Sequence, residues 1–450
     1  MTGIPLMIAF VVCIVLMILA ISKLKIHPFL SILAVSLLLA ILGGIPLQDI
    51  PGVIGQGFSG TFTSIGIVII LGALVGTLLE VSGAALKMSD CVVRLVGKKH
   101  PELAMLIMGW IVSIPVFCDS GFVILNPIRK ALVQRTRKSS VACTVALSMG
   151  LYIAHCFIPP TPGPIAAANT LGVGNHLLLV MSLGALLSIP PLIAAYIFAV
   201  RVGKKVHAAD EADANDATVK TYEELVASYG KLPNAFLSFA PIVVPILLMG
   251  LASAFSMAGL QVPFVQFIGT PIIALAVGAV LGVILLAAQK GVQGFHKITD
   301  DTLRVTGPIL FVTAAGGVLG KVIASTSMVE YITANAEVLS TIGIFFPFLL
   351  AAILKCAQGS STVAITTTAG ILAPMMEVLG LGTPVLGALT VIAIGAGAMT
   401  VSHANDSYFW VVTNFGELKV EDGYKTQTLG TLVIGLASMV GVFIAWMFLH

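Results

Sequence analysis

Long apolar runs separated by short polar punctuation dominate the chain. Uninterrupted runs lie at about 4–22, 28–45, 61–82, 139–158, 177–200, 236–256, 264–288, 307–326, 383–402 and 428–449. About 20 apolar residues cross a hydrocarbon core, so each run is predicted as a transmembrane helix. Two further apolar regions, 101–135 and 341–376, are interrupted, the first at Phe117–Gly121 and the second at Ala357–Ser361. Their halves are short for a full crossing. Each region is predicted as a re-entrant helical hairpin that enters and leaves by one face.

The basic residues orient this pattern. With the N-terminus outside, all of the 23 lysines and arginines except Lys321 and Lys355 fall in inside loops. Cytoplasmic loops of membrane proteins carry this excess, and the arrangement predicts both termini outside the cytoplasm. The first hairpin has basic flanks and is expected to enter from the cytoplasm. The second is flanked by Glu330, Glu337 and Glu377 and is expected to enter from outside.

One long polar stretch, 203–235, reads as a cytoplasmic linker. It separates residues 1–202, spans one to five with the inner hairpin, from residues 236–450, spans six to ten with the outer hairpin. The halves read as copies. Gly72–Gly76 with Ser82 aligns with Gly316–Gly320 and Thr326, Ser120 with Ser361, and 159–170 with 400–411. Because the halves start on opposite faces, this is an inverted-topology repeat of the kind secondary transporters use. The fold class is therefore an all-α polytopic membrane protein, two inverted repeats with broken helices at the midplane.

Composition agrees with that class and removes others. Of 450 residues, 58% are hydrophobic and 10% charged, too few charges for a soluble enzyme, a disordered chain or a nucleic-acid binder. The six cysteines are unpaired in spacing and read as small buried hydrophobes. There is no phosphate-binding loop and no metal-ligand spacing, so neither ATP nor a metal is expected. Ser, His and Asp occur on separate broken helices, without the context of an enzyme's nucleophile.

Chemistry is expected where the helices break, because irregular backbone at membrane depth is tolerated when buried or lining a cavity. Four such places are present: Cys118–Gly121, Pro159–Asn169, Gln358–Thr362 and Ser402–Ser407. Hydroxyls, amides and free N–H groups at helix starts suit a small anionic, hydroxylated solute. Asp119 and Asp406 are ionisable at depth, which is rare and usually functional; Asp119 also reads as a helix cap. His403 reads as a proton relay or a hydrogen-bonded structural residue. His155 reads as structural. Lys355 either attracts the solute's carboxylate, snorkels or pairs with a carboxylate, and Lys321 and Glu80 read as snorkelling.

These stretches carry a resemblance to the gluconate permease (GntP) family of proton symporters, within the ion transporter superfamily. It spans essentially the whole chain. It rests on Lys25–Leu30, Glu80–Ala84, Asp119–Leu125, His155–Pro164, Gly359–Ala364 and Ser402–Trp410. The resemblance implies uptake of an aldonate such as gluconate with a proton as coupling ion. It also implies a homodimer in the bacterial inner membrane, with an elevator-type movement of a transport domain. Relatives carrying D-serine or other small acids keep those substrates open. A cation/proton antiporter, a passive anion channel and a membrane-bound enzyme are the competing classes. The expected solute contacts are Ser120, Gly121, Thr161, Asn169, Gly359, Ser360, Ser361, Thr362, Asn405 and Ser407. Asp119, His403 and Asp406 are the expected proton-coupling residues. No cofactor and no nucleic acid are expected; membrane lipids are.

Overall fold

The computed structural model describes residues 2–449 apart from 97–99, 137, 209–231, 258–259, 261, 292, 329, 332–342 and 404–405. The 203–235 linker thus lies largely outside the described residues, as does Asn405. Among the described residues all regular structure is helical. The helices are α1 (Ile4–Ser22), α2 (Pro28–Leu42), α3 (Ile50–Thr61), α4 (Ile67–Val81), α5 (Ala84–Val96), α6 (Pro101–Val112), α7 (Cys118–Thr136), α8 (Ser140–Phe157), α9 (Pro162–Thr170), α10 (Leu177–Leu187) and α11 (Ile189–Val202). They continue with α12 (Ala235–Met257), α13 (Pro263–Ile268), α14 (Pro271–Lys290), α15 (Phe295–Ala324), α16 (Phe345–Gln358), α17 (Ser361–Leu372), α18 (Pro384–Met399), α19 (Ser407–Phe415), α20 (Val420–Gly423) and α21 (Leu429–Leu449).

Among the described residues, seven stretches are apolar and at least 18 residues long, enough to cross a membrane, and further apolar helices are shorter. The outer faces of α1 (Ile8, Val11, Val15) and α21 (Leu436, Val440, Ile444) are exposed and aliphatic. Such faces are stable against lipid and not against water. The interior is built on two helices. Every residue of α8 is buried, as is α18 from Leu386 to Met399. A helix apolar all round belongs in the centre of a bundle.

Several predicted boundaries move, each for a local reason. The run expected at 61–82 begins earlier: α3 starts at Ile50 and passes through a wider turn at Phe62–Gly66 into α4. Gly57 of α3 serves close packing, since a Cβ there would lie 2.7 Å from Val318 Cα of α15. The stretch 177–200 divides at Ser188, ahead of Pro190, and 264–288 divides before Pro271. The run at 307–326 is the inner part of the 30-residue α15, because the charged segment from Phe295 is helical too. The first hairpin turns at Ser113–Phe117, so Cys118–Gly121 is the first turn of α7 and not the break. Pro115 supplies the reason, lacking a donor N–H. The second break falls at Gly359–Ser360 as expected, with Gly359 at φ +77°.

The closest helix pairs meet through glycine. A Cβ on Gly150 of α8 would sit 2.1 Å from the Leu106 carbonyl of α6. Gly150→Ala is therefore expected to force α6 and α8 apart and destabilise the fold by about 1–3 kcal/mol, read as a lower melting temperature in detergent. Unchanged melting would show that this contact yields without cost.

Candidate functional site

Three helix starts converge. The N-terminal ends of α7, α17 and α19 line one cleft of about 420 Å³, within the size range of small-molecule sites. Its wall holds Cys118 and Asp119 from α7, Ser360–Val363 at the start of α17, and Asp406–Tyr408 at the start of α19. Tyr152 and His155 enter from α8, and Val305–Val312 of α15 with His27 and Pro28 close the far side. The cleft lies toward the end of the molecule that carries Lys23, Lys25 and Arg304.

Each helix start has a sequence reason. Ser360 caps α17, its Oγ accepting from Val363 N at 3.3 Å. Asp406 caps α19, its Oδ1 accepting from Tyr408 N at 3.0 Å. Two contacts clamp α7 to the far end of α19: Lys130 pairs with Glu417, and buried Arg129 donates to the Phe415 carbonyl at 3.4 Å. Arg129 also holds Asn126 Oδ1 at 2.7 Å and the Ser140 hydroxyl. The two cleft carboxylates are thereby fixed relative to one another from behind.

The carboxylates differ. Asp406 is buried and saturated: its Oδ2 accepts from Lys355 Nζ at 2.5 Å, from Ser402 Oγ at 2.5 Å and from Tyr152 OH at 3.5 Å. Lys355 also donates to the Gly359 carbonyl at 2.7 Å and lies 5.7 Å from the Tyr152 ring centre. Its side chain is 1% exposed and does not line the cleft. Of the readings open for Lys355, pairing with a carboxylate is the one found. Asp119 has no ion-pair partner among the described residues; the Cys118 thiol lies 3.6 Å from its Oδ2.

Six expected site residues share this cleft: Asp119, Ser360, Ser361, Thr362, Asp406 and Ser407. Of the others, those whose side chains are described do not line it. Thr161 turns inward, donating to the Ile158 carbonyl at 2.7 Å and that of His155 at 3.0 Å. Gly121 packs against Leu151, where a Cβ would meet Cδ2 at 2.7 Å. Gly359 acts through its carbonyl, which Lys355 holds. His403 is half-buried, and its carbonyl accepts from Asp406 N at 2.8 Å. Asn169 ends α9, donates to the Ile165 carbonyl at 2.9 Å and lines a different cavity. Its separation from the cleft has a simple cause: α9 carries it about 12 Å along the axis from Thr161. Ser120 lies in the first turn of α7, its side chain outside the described residues.

Two cleft residues, Tyr152 and Tyr408, escape a reading by sequence. Both are buried, their rings 5.1 Å apart, and Tyr408 OH donates to the Ser148 carbonyl at 3.0 Å. A tyrosine inside a fully buried helix is itself a signal, since its hydroxyl needs a partner. His155, for which the sequence favours a structural role, lines the cleft, with Nε2 3.4 Å from Thr362 Oγ1.

The family model for GntP family permeases matches residues 4–448. An uncharacterized permease of Haemophilus influenzae is 33% identical over 98% of this chain and 92% of its own length. The gluconate permease of Zymomonas mobilis is 28% identical over 96% of this chain and 95% of its own. Among solved structures, the Alcanivorax borkumensis YdaH transporter superposes with a TM-score of 0.65 at 15% identity, covering 94% of this chain and 99% of that one. That likeness is one of fold.

Proposed function

The chain belongs to the GntP family of permeases, and on that footing we propose that it couples uptake of a small sugar acid of the aldonate type to proton entry. A multi-pass membrane permease moves its solute unchanged, so no catalytic residue is sought. The observation that carries the reading is the convergence of three helix starts on one cleft, in which Asp119 makes no ion pair among the described residues. Helix N-termini favour negative charge. Those of α7 and α19 are already occupied by Asp119 and Asp406. The start of α17, with Ser360, Ser361 and Thr362, is left for the solute's carboxylate. Ser407 and Tyr152 then suit its hydroxyls.

The same arrangement supports proton coupling. The cleft holds two carboxylates against one ammonium, that of Lys355. A bound anion adds a second uncompensated negative charge unless one carboxylate takes a proton. Asp406 is held by Lys355, so Asp119 is the group that takes it. One proton per solute on Asp119 keeps the loaded site at the single negative charge that the empty site carries. His403 and Asp406, grouped by sequence with the proton path, act instead in holding the break before α19.

An inverted repeat is supported by the parallel order of elements in each half. A broken hairpin, a buried helix (α8 or α18) and a short nine-residue helix (α9 or α19) follow one another twice. Membership of the family supports the bacterial inner membrane. A homodimer and an elevator movement follow from the resemblance alone.

Uptake of radiolabelled gluconate into proteoliposomes, with an inward proton gradient and no sodium, tests the reading. Glycerate, D-serine, fructuronate and citrate serve as competitors. The expected result is accumulation that collapses with a protonophore and is competed best by aldonates. Competition by D-serine or citrate instead moves the solute class. Proton efflux driven by a cation gradient, without solute, supports an antiporter and overturns symport.

A further inference from the structure

A second cavity, of about 350 Å³, lies beyond the first along the same two helices. The cleft is lined by Val305–Val312 of α15 and Ser361–Val363 of α17. The second cavity is lined by Gly317–Ala324 of α15 and by Gly370 just before the end of α17. Between them the two helices touch. A Cβ on Gly370 would sit 2.4 Å from the Gly316 carbonyl, and one on Gly320 would sit 2.4 Å from the Gly370 carbonyl. This backbone contact lies between the two cavities, which are about 7–10 Å apart along the helices.

Lys321 is exposed and lines this second cavity with Gln56, Asn169 and Thr170; among the described residues no carboxylate lines it. It makes no ion pair among the described residues. It lies about 36 Å along α15 from Lys297, more than the roughly 30 Å thickness of a hydrocarbon core. Lys321 and Lys297 are thus too far apart to share one face of the membrane, and the charge pattern of the sequence assigns the other loop lysines and arginines to the face of Lys297. Lys355, the other exception to that segregation, is spent on Asp406. Lys321 is thus the single lysine or arginine among the described residues that meets an anion arriving from the face without basic loops.

We infer that the cavity at Lys321 is an outer anion-recognition site, where the carboxylate of the incoming sugar acid pairs with the Lys321 ammonium before transfer to the cleft. The inference rests on the transport reading above and adds a second site to it. Gln56 and Thr170 supply polar groups for the solute's hydroxyls. A snorkelling lysine explains the position of Lys321 at a helix end but not a cavity beside it free of carboxylates.

The test uses the full-length protein in right-side-out proteoliposomes, with gluconate outside. Lys321→Gln and Lys321→Cys are expected to raise the KM of uptake about tenfold, the usual consequence of losing a charge-assisted hydrogen bond. Lys321→Arg should stay near the wild-type value. A membrane-impermeant cationic thiol reagent on Lys321→Cys should restore the KM, an anionic reagent of similar size should not, and excess gluconate should slow both reactions. Wild-type protein treated in parallel gives the background from the six native cysteines. An unchanged KM in the Gln and Cys variants, or equal effects of the two reagents, overturns the site while leaving the transport reading intact. A wild-type protein that carries no acid of the panel overturns that reading, and this inference with it.

Discussion

Asp119→Asn is expected to abolish proton-driven accumulation while leaving solute exchange intact. Asparagine matches the shape of a protonated aspartic acid and carries no charge at any pH. Asp119 makes no ion pair among the described residues, so its replacement leaves no charge stranded, and the fold should tolerate it. On the symport reading the wild-type cleft binds the anion together with a proton. Its affinity therefore rises as pH falls, and weakens by up to tenfold per unit as pH rises past the range where Asp119 gives up that proton. In Asp119→Asn this slope should vanish. The measurement is the KM of counterflow exchange across a pH series, beside accumulation under an imposed pH gradient. A variant that still concentrates gluconate against its gradient would return the coupling role to Asp406.

The second large effect concerns the Lys355–Asp406 pair. Lys355→Met should destabilise the protein by about 3–5 kcal/mol, because it leaves a buried carboxylate without its counter-ion. Asp406→Asn should do the same by stranding the ammonium. It should lose accumulation and exchange together, unlike Asp119→Asn, because the break before α19 loses its support. The double variant Lys355→Met with Asp406→Asn should regain most of the stability, since no unpaired charge is buried. It should not regain transport if the pair holds the hairpin tip at Gly359 in register with α19. Thermal unfolding of the four proteins gives a double-mutant cycle, and uptake by the double variant separates support of the site from stability. Additive losses of stability would show that the two charges do not depend on each other.

The two predictions separate roles that look alike in the sequence. Asp119 and Asp406 each stand beside a hydroxyl at a helix break, and nothing local distinguishes them. Lys355 makes the difference, and it lies 51 positions before Asp406. Asn169 shows the converse. It belongs to one polar cluster with Thr161 in the sequence, yet nine residues of helix take the two to separate surroundings. Nothing within α8 reveals the partner of the Tyr152 hydroxyl, since Asp406 is 254 positions away.

What the sequence determined by itself was everything that depends on stretches of about 20 residues or fewer. The membrane class follows from the apolar runs, which cannot be buried any other way. The helix breaks follow from proline, glycine and serine clusters, which act on their own backbone. Six of the cleft residues were legible because hydroxyls and carboxylates at such breaks are too costly to strand in lipid. Only the tertiary structure decided which breaks meet, which carboxylate is neutralised and which lysine remains for an anion. Those depend on how each helix is rotated against its neighbours, set by contacts such as Gly316 on Gly370 and Gly109 on Leu147 between distant segments. No local pattern encodes that rotation, because it is fixed by packing summed over the whole bundle.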